Sequence, residues 1–493
     1  MQQAKKLNPP NLNDPTLFNN HLFINDQWIA SDSQFDVRNP ANGQLITQVA
    51  NATVEQAQTA IDAAHAAFPA WAAKTGKQRA EVLRKWFDLI LLHTEDLALI
   101  LTAEQGKPIS EARGEVVYAA SFVEWFAEEA KRVSGEVMAS TWTDKRMVML
   151  KQPIGVCAAI TPWNFPLGMI TRKVAPAIAA GCSIVIKPAE QTPLSALALV
   201  ELARRAGLPA GVLSVVTADS DNSIAIGKLL CSSKTVRHIS FTGSTPVGRI
   251  LMQQSSPTVK KMALELGGHA PFIVFEDADI DAAVEGAVQS KYRNAGQTCV
   301  CTNRFYVHSS LYDSFVSKLA AKVSAIQVGD GMTKGVLQGP MIDGQAIEKV
   351  EQHVKDAISK GATLVAGGKP HALGGYFYEP TLLSNVSNDM QIMSEETFGP
   401  VAAVMKFETE AEVIAAANNT DFGLASYFYS RDIGRIWRVA EKLEYGMVGI
   451  NTGLFSNEVA PFGGVKQSGL GREGSKYGMD EYLEMKYLCM GGL

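Results

Sequence analysis

The feature of this chain that most constrains its fold is an alternation of short apolar runs with helix-patterned segments. Five such runs cover residues 154–160, 183–186, 213–216, 238–241 and 271–275, and segments of helical periodicity such as 193–206 lie between most of them. Continuous apolar runs separated by helices are typical of a parallel sheet that helices cover on both faces. The sequence therefore predicts a doubly wound α/β domain.

A second series of the same kind begins after Cys301. Residues 304–307 have strand character, residues 311–326 have helical periodicity, and further units continue to residues 448–451. With 493 residues the chain is long enough for two or three domains. We therefore expect a second α/β domain of related architecture.

Two segments outside these series have the pattern of exposed strands, at residues 134–151 and 482–490. Apolar edge strands favour pairing with another chain, so we expect a homodimer or a homotetramer. The predicted organisation is a mobile arm (1–20), a first α/β domain (21–132 and 152–264), a second α/β domain (265–465) and a small β oligomerisation element (133–151 and 475–493).

Charge and composition exclude several classes of partner. The formal net charge is −5, so there is no global positive field that would attract nucleic acid or anionic lipid. The first fifteen residues are polar and rich in Asn and Pro, unlike a signal peptide, and no apolar run approaches the roughly 18 residues that span a bilayer. We expect a cytosolic protein without nucleic acid or membrane partners.

The six cysteines are too sparse and irregular for a disulfide framework or a zinc site, so no metal is expected. They are Cys157, Cys182, Cys231, Cys299, Cys301 and Cys489. Cys299 and Cys301 are close enough in sequence to suggest chemistry. Cys299 follows Gly296 within a polar segment, whereas a buried structural thiol is the ordinary alternative for any cysteine.

Two segments are candidates for nucleotide binding. Residues 241–248 follow an apolar run, and there Ser244 or Thr245 would cap a helix whose free N–H groups bind a pyrophosphate. Lys187 and Glu190 end another apolar run, where they would contact ribose hydroxyls. The alternatives are an ordinary strand-to-helix turn and a solvated loop. The one literal Gly-x-Gly-x-x-Gly, at residues 469–474, is a decoy, since only a short tail follows it.

From about Asn25 onward the chain resembles the aldehyde dehydrogenase superfamily. The motifs that carry the resemblance are residues 161–166 (Thr-Pro-Trp-Asn-Phe-Pro), the Lys187 and Gly243 segments, 264–268 (Leu-Glu-Leu-Gly-Gly), 296–299 (Gly-Gln-Thr-Cys) and 396–400 (Glu-Thr-Phe-Gly-Pro). Within the superfamily, residues 169–173, 299–301 and 462–466 most resemble succinate-semialdehyde dehydrogenases. The resemblance implies NAD(P)-dependent oxidation of an aldehyde in 4-aminobutyrate degradation. It implies further that the first α/β domain binds NAD(P) and that the second is catalytic.

The resemblance also implies roles for individual catalytic residues. Cys299 attacks the aldehyde to form a thiohemiacetal and then a thioester, while the Asn164 amide and the Cys299 backbone N–H stabilise the oxyanion. Glu265 acts as the base for Cys299 or for the hydrolytic water. Lys173 and Glu473 match positions proposed to pass protons, although a plain salt bridge would place them together equally well.

The cofactor positions that the resemblance implies are Thr161, Pro162, Trp163, Lys187, Glu190, Gly243, Ser244, Gly248, Leu266, Glu396 and Phe398. Glu396 and Phe398 would hold the nicotinamide ribose and ring. A carboxylate at Glu190 accepts bonds from a ribose 2′-hydroxyl and repels a 2′-phosphate, so NAD is favoured over NADP.

Arg172 and Arg293, with Ser456 as a helper, resemble the residues that contact the distal carboxylate of succinate semialdehyde. A guanidinium suits a carboxylate because its planar fork donates two bonds at once. The alternative is that both arginines pair with internal acids. A glutarate semialdehyde or another ω-oxo acid would fit the same pattern, because one methylene changes only the depth of the pocket.

Cys301 lies two residues beyond Cys299, and in an extended segment residues i and i+2 face the same side. This spacing predicts a reversible Cys299–Cys301 disulfide that halts activity, with a packed thiol as the alternative. Two readings from other classes stay open at this point. They are a cysteine hydrolase or acyltransferase, against which the cofactor motifs argue, and a catalytically silent structural relative.

Overall fold

The structure is a computed structural model, and it describes residues 9–492. The strands are β1 (Leu22–Ile24), β2 (Gln27–Ile29), β3 (Gln34–Arg38), β4 (Leu45–Ala50), β5 (Glu136–Met138), β6 (Lys145–Pro153), β7 (Val156–Ile160), β8 (Ser183–Lys187), β9 (Leu213–Val215), β10 (Val236–Thr242), β11 (Lys261–Glu265), β12 (Ala270–Val274), β13 (Thr302–His308), β14 (Thr363–Ala366), β15 (Thr381–Ser384), β16 (Val401–Phe407), β17 (Ala425–Tyr429), β18 (Met447–Ile450), β19 (Gly469–Leu470) and β20 (Leu483–Gly491).

The helices are α1 (Val54–Ala72), α2 (Gly76–Leu92), α3 (Thr94–Gln105), α4 (Ile109–Glu129), α5 (Gly168–Ala180), α6 (Pro193–Arg205), α7 (Ser220–Ser232), α8 (Thr245–Ser255), α9 (Ile280–Tyr292), α10 (Tyr312–Ser324), α11 (Gly344–Ser359), α12 (Glu410–Asn418), α13 (Ile433–Lys442) and α14 (Tyr477–Asp480). Across residues 9–492, no helix combines the length and apolarity that a bilayer crossing requires.

The first large sheet has eight strands in the order β19-β11-β10-β7-β8-β9-β1-β2. Its five central strands are parallel, and β1 and β19 join its two sides as antiparallel neighbours. The chain leaves β7 toward β8 on one side and later returns to place β10 on the other. The carboxyl ends of β7 and β10 therefore lie at a topological switch point, where open α/β sheets bind ligands.

Alternate side chains of this sheet enter two separate hydrophobic clusters. Cys157 of β7 and Ile184 of β8 pack in one cluster with residues of α5, whereas Ala158 and Val185 pack in the other with residues of α1. Period-two alternation on a sheet that is buried on both faces produces this division. The doubly wound α/β prediction is confirmed.

The second large sheet has seven strands in the order β14-β15-β16-β13-β12-β17-β18, and all neighbours except β14 and β15 are parallel. Strand β12, which lies between β13 and β17 in this order, corresponds to the apolar run at residues 271–275. The sequence pattern groups that run with the first series, but it pairs with β13 and β17 of the second sheet. Adjacent apolar runs look alike in sequence, so periodicity alone does not assign a strand to a sheet.

Residues 9–20 differ from the predicted mobile arm. The backbone N–H of Asn13 donates to Asp96 at 2.7 Å, and the Asp14 carboxylate pairs with Arg205 of α6 at 2.6 Å. These contacts fix the segment against α3 and α6. Residues 1–8 of the predicted arm lie outside the described residues.

Strands β20, β6 and β5 form a separate three-stranded antiparallel sheet. It joins the two segments that the sequence assigned to an oligomerisation element. Residues 466–474, which directly precede the second of these segments, include β19, and β19 pairs with β11 of the first sheet.

Candidate active site

Cys299 lies on a tight turn. A sharp reversal of the backbone comes directly before this turn. After α9 ends, Asn294, Ala295 and Gly296 all have positive φ, at 51°, 54° and 73°. For residues with a Cβ the left-handed region costs roughly 1–2 kcal/mol each, so the surrounding packing must hold this conformation. The turn itself is closed by a hydrogen bond from the Cys301 N–H to the Thr298 carbonyl at 3.1 Å.

Close backbone packing holds this turn from two sides. A Cβ on Gly296 would lie 2.2 Å from the Gly399 carbonyl oxygen, and a Cβ on Gly268 would lie 2.4 Å from the Cys299 carbonyl oxygen. Any side chain at either glycine would push the nucleophile segment out of place. This packing is the physical reason for glycine in two of the sequence motifs.

Two cavities meet at Cys299. The first, called here the arginine cavity, is lined by Tyr118, Phe165, Arg172, Arg293, Ser456 and Phe462, among others. The second, called the interdomain cleft, is lined by residues that include Pro162, Asn164, Ser244, Glu265, Glu396 and Phe398. Cys299 lines both cavities, and its side chain is partly exposed to them.

The thiol of Cys299 is neutral in this environment. Burial raises its pKa to about 12, and the Arg172 charge opposes that rise while Glu265 and Glu396 add to it. A thiolate is the nucleophilic form, so this cysteine requires a base beside it.

Asn164 lies in the loop between β7 and α5 and is almost fully buried. Its Nδ2 donates one hydrogen to the Gln297 carbonyl at 3.0 Å, and its Oδ1 accepts from the Phe165 N–H at 3.1 Å. These bonds fix the orientation of the amide. The second hydrogen of Nδ2 is available to the interdomain cleft that Asn164 lines.

Glu265 ends β11 and lines the same cleft. Burial, together with the negative charge of Glu473, raises the pKa of its carboxyl well above the usual range. Its Oε2 is buried and accepts no hydrogen bond from the residues that the structure describes. A carboxyl of this kind holds a proton readily, which is the property of a general base near neutral pH.

Arg172, Lys173 and Glu473 form a buried ionic cluster beside Glu265. Glu473 pairs with the Arg172 guanidinium at 2.8 Å and with the Lys173 ammonium, which also donates to Thr242 Oγ1 at 2.7 Å. Although burial acts against its charge, these two cations hold the pKa of Glu473 below its usual range. The alternative of pairing with an internal acid is therefore correct for Arg172.

Arg172 nevertheless lines the arginine cavity. Its guanidinium lies 3.9 Å from the centre of the Phe462 ring, and Nη1 is 3.5 Å from the Tyr118 hydroxyl. Burial acts against the Arg172 charge, but Glu473 together with Tyr118, Glu265 and Cys299 outweighs it, so the pKa of the guanidinium is raised.

Arg293 differs from Arg172 in its partners. Its guanidinium lies 5.3 Å from the centre of the Phe165 ring, and no residue within 9–492 makes an ion pair or a hydrogen bond with it. Ser456, on the loop that follows β18, lines the same cavity. The structure thus brings the three predicted substrate residues together, with Arg293 as the unpaired cation.

The N-terminus of α8 opens onto the interdomain cleft. Ser244 is the N-cap residue, but its side chain makes no capping hydrogen bond. The first backbone N–H groups of this 11-residue helix are therefore free to donate. Gly243 donates its N–H to the Glu265 carbonyl at 3.0 Å. Gly248 and Leu266 pack together, because a Cβ on Gly248 would lie 2.6 Å from the Leu266 side chain.

At the other wall of the cleft, Glu396 Oε1 accepts from the Gly268 N–H at 3.1 Å, and burial raises the pKa of its carboxyl to about 7. Phe398 has a positive φ of 54° and packs edge-to-face on Trp163, with 5.6 Å between the ring centres. This aromatic pair connects the β7–α5 loop to the second α/β unit.

Lys187 and Glu190 lie outside this cleft, at the carboxyl end of β8. The Lys187 ammonium donates to Ser223 at 2.7 Å and lies 3.9 Å from Glu190, which accepts from Ser220 at 3.2 Å. The two residues therefore join the start of α7. Thr161 connects them to the β7 edge, since its N–H donates to the Lys187 carbonyl at 3.2 Å.

The premise behind the Cys299–Cys301 switch is wrong. The segment is a turn and not an extended strand, so the two residues do not share a face. The Cys301 side chain is buried, and its thiol donates to the carbonyls of Lys291 and Thr302 at 3.5 Å. The packed-thiol alternative describes Cys301.

The interpretation of the Gly-x-Gly-x-x-Gly sequence at residues 469–474 as a decoy is confirmed. Its first two residues, Gly469 and Leu470, form an edge strand beside β11. Sequence reasoning missed several lining residues, namely Tyr118, Glu111, Glu115 and Lys349. They lie on helices α4 and α11, outside the motifs. No local motif marks them, so no sequence signal would have found them.

Comparison with known proteins identifies the family. A model of the aldehyde dehydrogenase family matches residues 28–488. The chain belongs to the aldehyde dehydrogenase family. Members of this family are NAD(P)-dependent oxidoreductases that oxidise aldehydes.

Individual relatives are similar over almost their whole length. The chain is 58% identical to glutarate-semialdehyde dehydrogenase of Pseudomonas aeruginosa, over 98% of this chain and 100% of the relative. It is 57% identical to the NADP(+) succinate-semialdehyde dehydrogenase GabD of Escherichia coli, over 97% and 99%. A solved structure of succinate-semialdehyde dehydrogenase from Burkholderia pseudomallei has a TM-score of 0.96 and 60% identity, over 98% and 100%.

Proposed function

We propose that this protein oxidises succinate semialdehyde to succinate, through a thioester on Cys299 and with NAD as the favoured cofactor. The observation that carries the proposal is the position of Cys299, where a cavity with two arginines meets the interdomain cleft. The names of two relatives support this substrate, because each name specifies a semialdehyde that has a distal carboxylate. Glutarate semialdehyde is the second candidate.

In the arginine cavity, the unpaired Arg293 receives the distal carboxylate of the substrate. Its planar fork donates two parallel hydrogen bonds, and the hydroxyl of Ser456 adds a third donor. Arg172 is already paired with Glu473 at 2.8 Å, so it contributes positive potential and shape to the cavity while Glu473 keeps it in place. The aromatic rings of Phe165 and Phe462 enclose the carbon chain.

The reaction begins when Cys299 loses its proton to Glu265 and attacks the aldehyde carbon. The oxyanion of the thiohemiacetal accepts hydrogen bonds from the free Asn164 amide hydrogen and from the Cys299 N–H. Loss of hydride converts this adduct to a thioester. After Glu265 has released the proton from Cys299, it takes a proton from water, which attacks the thioester and releases the carboxylate product and the thiol.

Lys173, Glu473 and Thr242 form the route by which we propose that Glu265 exchanges its proton. Glu473 raises the pKa of Glu265, so the two carboxylates interact through their charges. Lys173 and Arg172 keep Glu473 ionised, so its carboxylate is available as the next proton acceptor beside Glu265.

The cleft fits a nicotinamide dinucleotide, which supplies the hydride acceptor when it is bound. The free N–H groups at the start of α8 suit its pyrophosphate, and the buried Glu396 carboxylate suits hydroxyls of the nicotinamide ribose. Thr161, Pro162, Trp163 and Phe398 border the nicotinamide end, and Gly243, Gly248 and Leu266 shape the helix start. Lys187 and Glu190 bind the adenosine ribose.

Replacement of the base tests the mechanism. Glu265→Gln should lower turnover by at least about 100-fold, because both Cys299 and the hydrolytic water lose their proton acceptor. Reduced-nicotinamide formation measures the rate. Mass spectrometry of wild-type enzyme quenched during turnover should find a succinyl group on Cys299.

The matched control is Glu104→Gln, which changes another buried glutamate whose carboxylate caps α6 through the N–H groups of Leu194 and Ser195. We expect near-normal turnover from this control. Normal turnover of Glu265→Gln would show that another group is the base, and a quenched enzyme without any adduct would contradict the thioester.

Substrate selectivity tests the arginine cavity. Arg293→Leu should raise the KM for succinate semialdehyde by about 10- to 100-fold, which is the value of one charge-assisted contact, and leave the KM for butanal within about threefold. Arg293→Lys keeps the charge without the fork and should be intermediate. The kcat/KM of the wild type should be higher for succinate semialdehyde than for glutarate semialdehyde. Equal effects on charged and uncharged aldehydes would contradict the assignment.

Cofactor preference depends on the carboxylate of Glu190. We expect the wild type to have a higher kcat/KM with NAD than with NADP. Both Glu190→Ser and Glu190→Gln should shift the ratio toward NADP by about tenfold or more, because they remove the charge that repels a 2′-phosphate. A wild-type enzyme that prefers NADP, as the name of the Escherichia coli relative implies for that protein, would overturn this part.

We further propose a homodimer or a homotetramer that forms through the sheet of β5, β6 and β20. This sheet presents large exposed apolar side chains, including Val137 at 81% and Met485 at 73% exposure. Val137→Lys should lower the molar mass that light scattering measures, because a charge on an edge strand opposes pairing. Ile433→Lys, on the exposed face of α13, is the control. A monomeric wild type would refute the proposal.

A further inference from the structure

A buried lysine outside the motifs contacts the loop that carries Asn164. Lys107 lies between α3 and α4, and its side chain is fully buried. Its ammonium donates to the Asn164 carbonyl at 2.7 Å and to Glu115 at 2.5 Å, and it lies 3.9 Å from the centre of the Phe165 ring. It therefore touches both residues at the centre of this loop.

Glu115 extends this contact to the far end of the same loop. Its second carboxylate oxygen accepts from the N–H groups of Leu167 at 2.9 Å and Gly168 at 3.3 Å, where α5 begins. The Lys107–Glu115 pair thus holds the loop at its middle and at its end. The loop lies outside the sheet ladder, so these side chains replace the hydrogen bonds that a strand would have provided.

A second set of bonds connects the loop to the nucleophile turn. Asn294 Nδ2 donates to the Asn164 carbonyl at 3.1 Å and to the Gln297 carbonyl at 3.2 Å, and Asn164 Nδ2 donates to the same Gln297 oxygen. The Asn164 carbonyl therefore accepts two bonds, one from Lys107 and one from Asn294. Gln297 lies two positions before Cys299, so this network sets the distance between oxyanion donor and nucleophile.

We propose that Lys107 is a positioning residue for the Asn164 amide, and that through this amide it places the oxyanion donor against Cys299. The inference rests on the proposed role of Asn164. Lys107 acts on the backbone of Asn164 and contacts neither substrate nor cofactor. Loss of its bond leaves Asn294 as the other donor to the Asn164 carbonyl, so the loop gains freedom to move away from the nucleophile.

A double-mutant cycle tests this mechanism, with the rate of hydride transfer in the first turnover as the measurement. Lys107→Met should slow this step by about 10- to 100-fold, the loss that a displacement of about 1 Å produces in a positioned group. The KM values for aldehyde and cofactor should change by less than about threefold. Asn164→Ala should slow the same step by about 100- to 1000-fold.

The decisive result is the double variant. If Lys107 acts through the Asn164 side chain, Lys107→Met should slow Asn164→Ala by less than about threefold, because the amide that it positions is already gone. Alkylation of Cys299 by iodoacetamide, which forms no oxyanion of this kind, should keep its wild-type rate in Lys107→Met.

Two controls separate positioning from general loss of structure. Lys260→Met removes another lysine that donates to three backbone carbonyls, those of Leu230, Ser233 and Val236, and it should leave hydride transfer unchanged. If Lys107→Met leaves Glu115 unpaired and fails to fold, Lys107→Met/Glu115→Gln removes both charges and replaces it in the cycle.

Effects of Lys107→Met and Asn164→Ala that multiply in the double variant would overturn the inference and leave the role of Asn164 intact. The same conclusion would follow if Lys107→Met slowed Cys299 alkylation as much as hydride transfer. A normal rate for Asn164→Ala alone would overturn the proposed oxyanion role together with the inference, and this single-variant result is distinct from the other two.

Discussion

The hydrogen bond from the Asn164 amide to the Gln297 carbonyl joins the two α/β units beside Cys299. One partner lies on the loop after β7, at the switch point of the first sheet, and the other lies two residues before the nucleophile. Each unit alone would present half of a site. Because the bond is buried, its loss would leave two polar groups without any hydrogen-bond partner. The free-energy cost of that loss holds the two units in their relative positions.

The same seam carries more charge than an apolar interior tolerates without compensation. Arg172, Lys173, Glu265 and Glu473 are all almost fully buried. Arg172 and Lys173 both pair with Glu473, while Glu265 has one oxygen without a partner and a raised pKa. Ion pairing compensates the charges of Arg172, Lys173 and Glu473, whereas the raised pKa of Glu265 favours its protonated form.

Lys107 and Glu115 extend this principle to the other side of the nucleophile. Both side chains are buried, and both direct their bonds to the loop that carries Asn164. Arg293, which is half-buried, differs from the buried cations around the site, since the described residues provide no anion for it. An unpaired guanidinium in a cavity with aromatic walls is stabilised by an anionic ligand, which agrees with the class of substrate that the relatives' names suggest.

The sequence by itself determined the doubly wound architecture, because hydrophobic period is a local property, and the motifs that carry the family resemblance singled out Cys299 and the glycines around it. It also placed Asn164, Glu265 and the start of α8 correctly in the interdomain cleft. Tertiary structure alone decided that residues 298–301 form a turn, and that Arg172 pairs with Glu473 while Arg293 does not. It alone brought Lys107 and Glu115 to Asn164. These outcomes depend on which side chains, distant in sequence, become neighbours in the buried interior. Every buried charge there needs a partner, and the partners are brought together only when the chain folds.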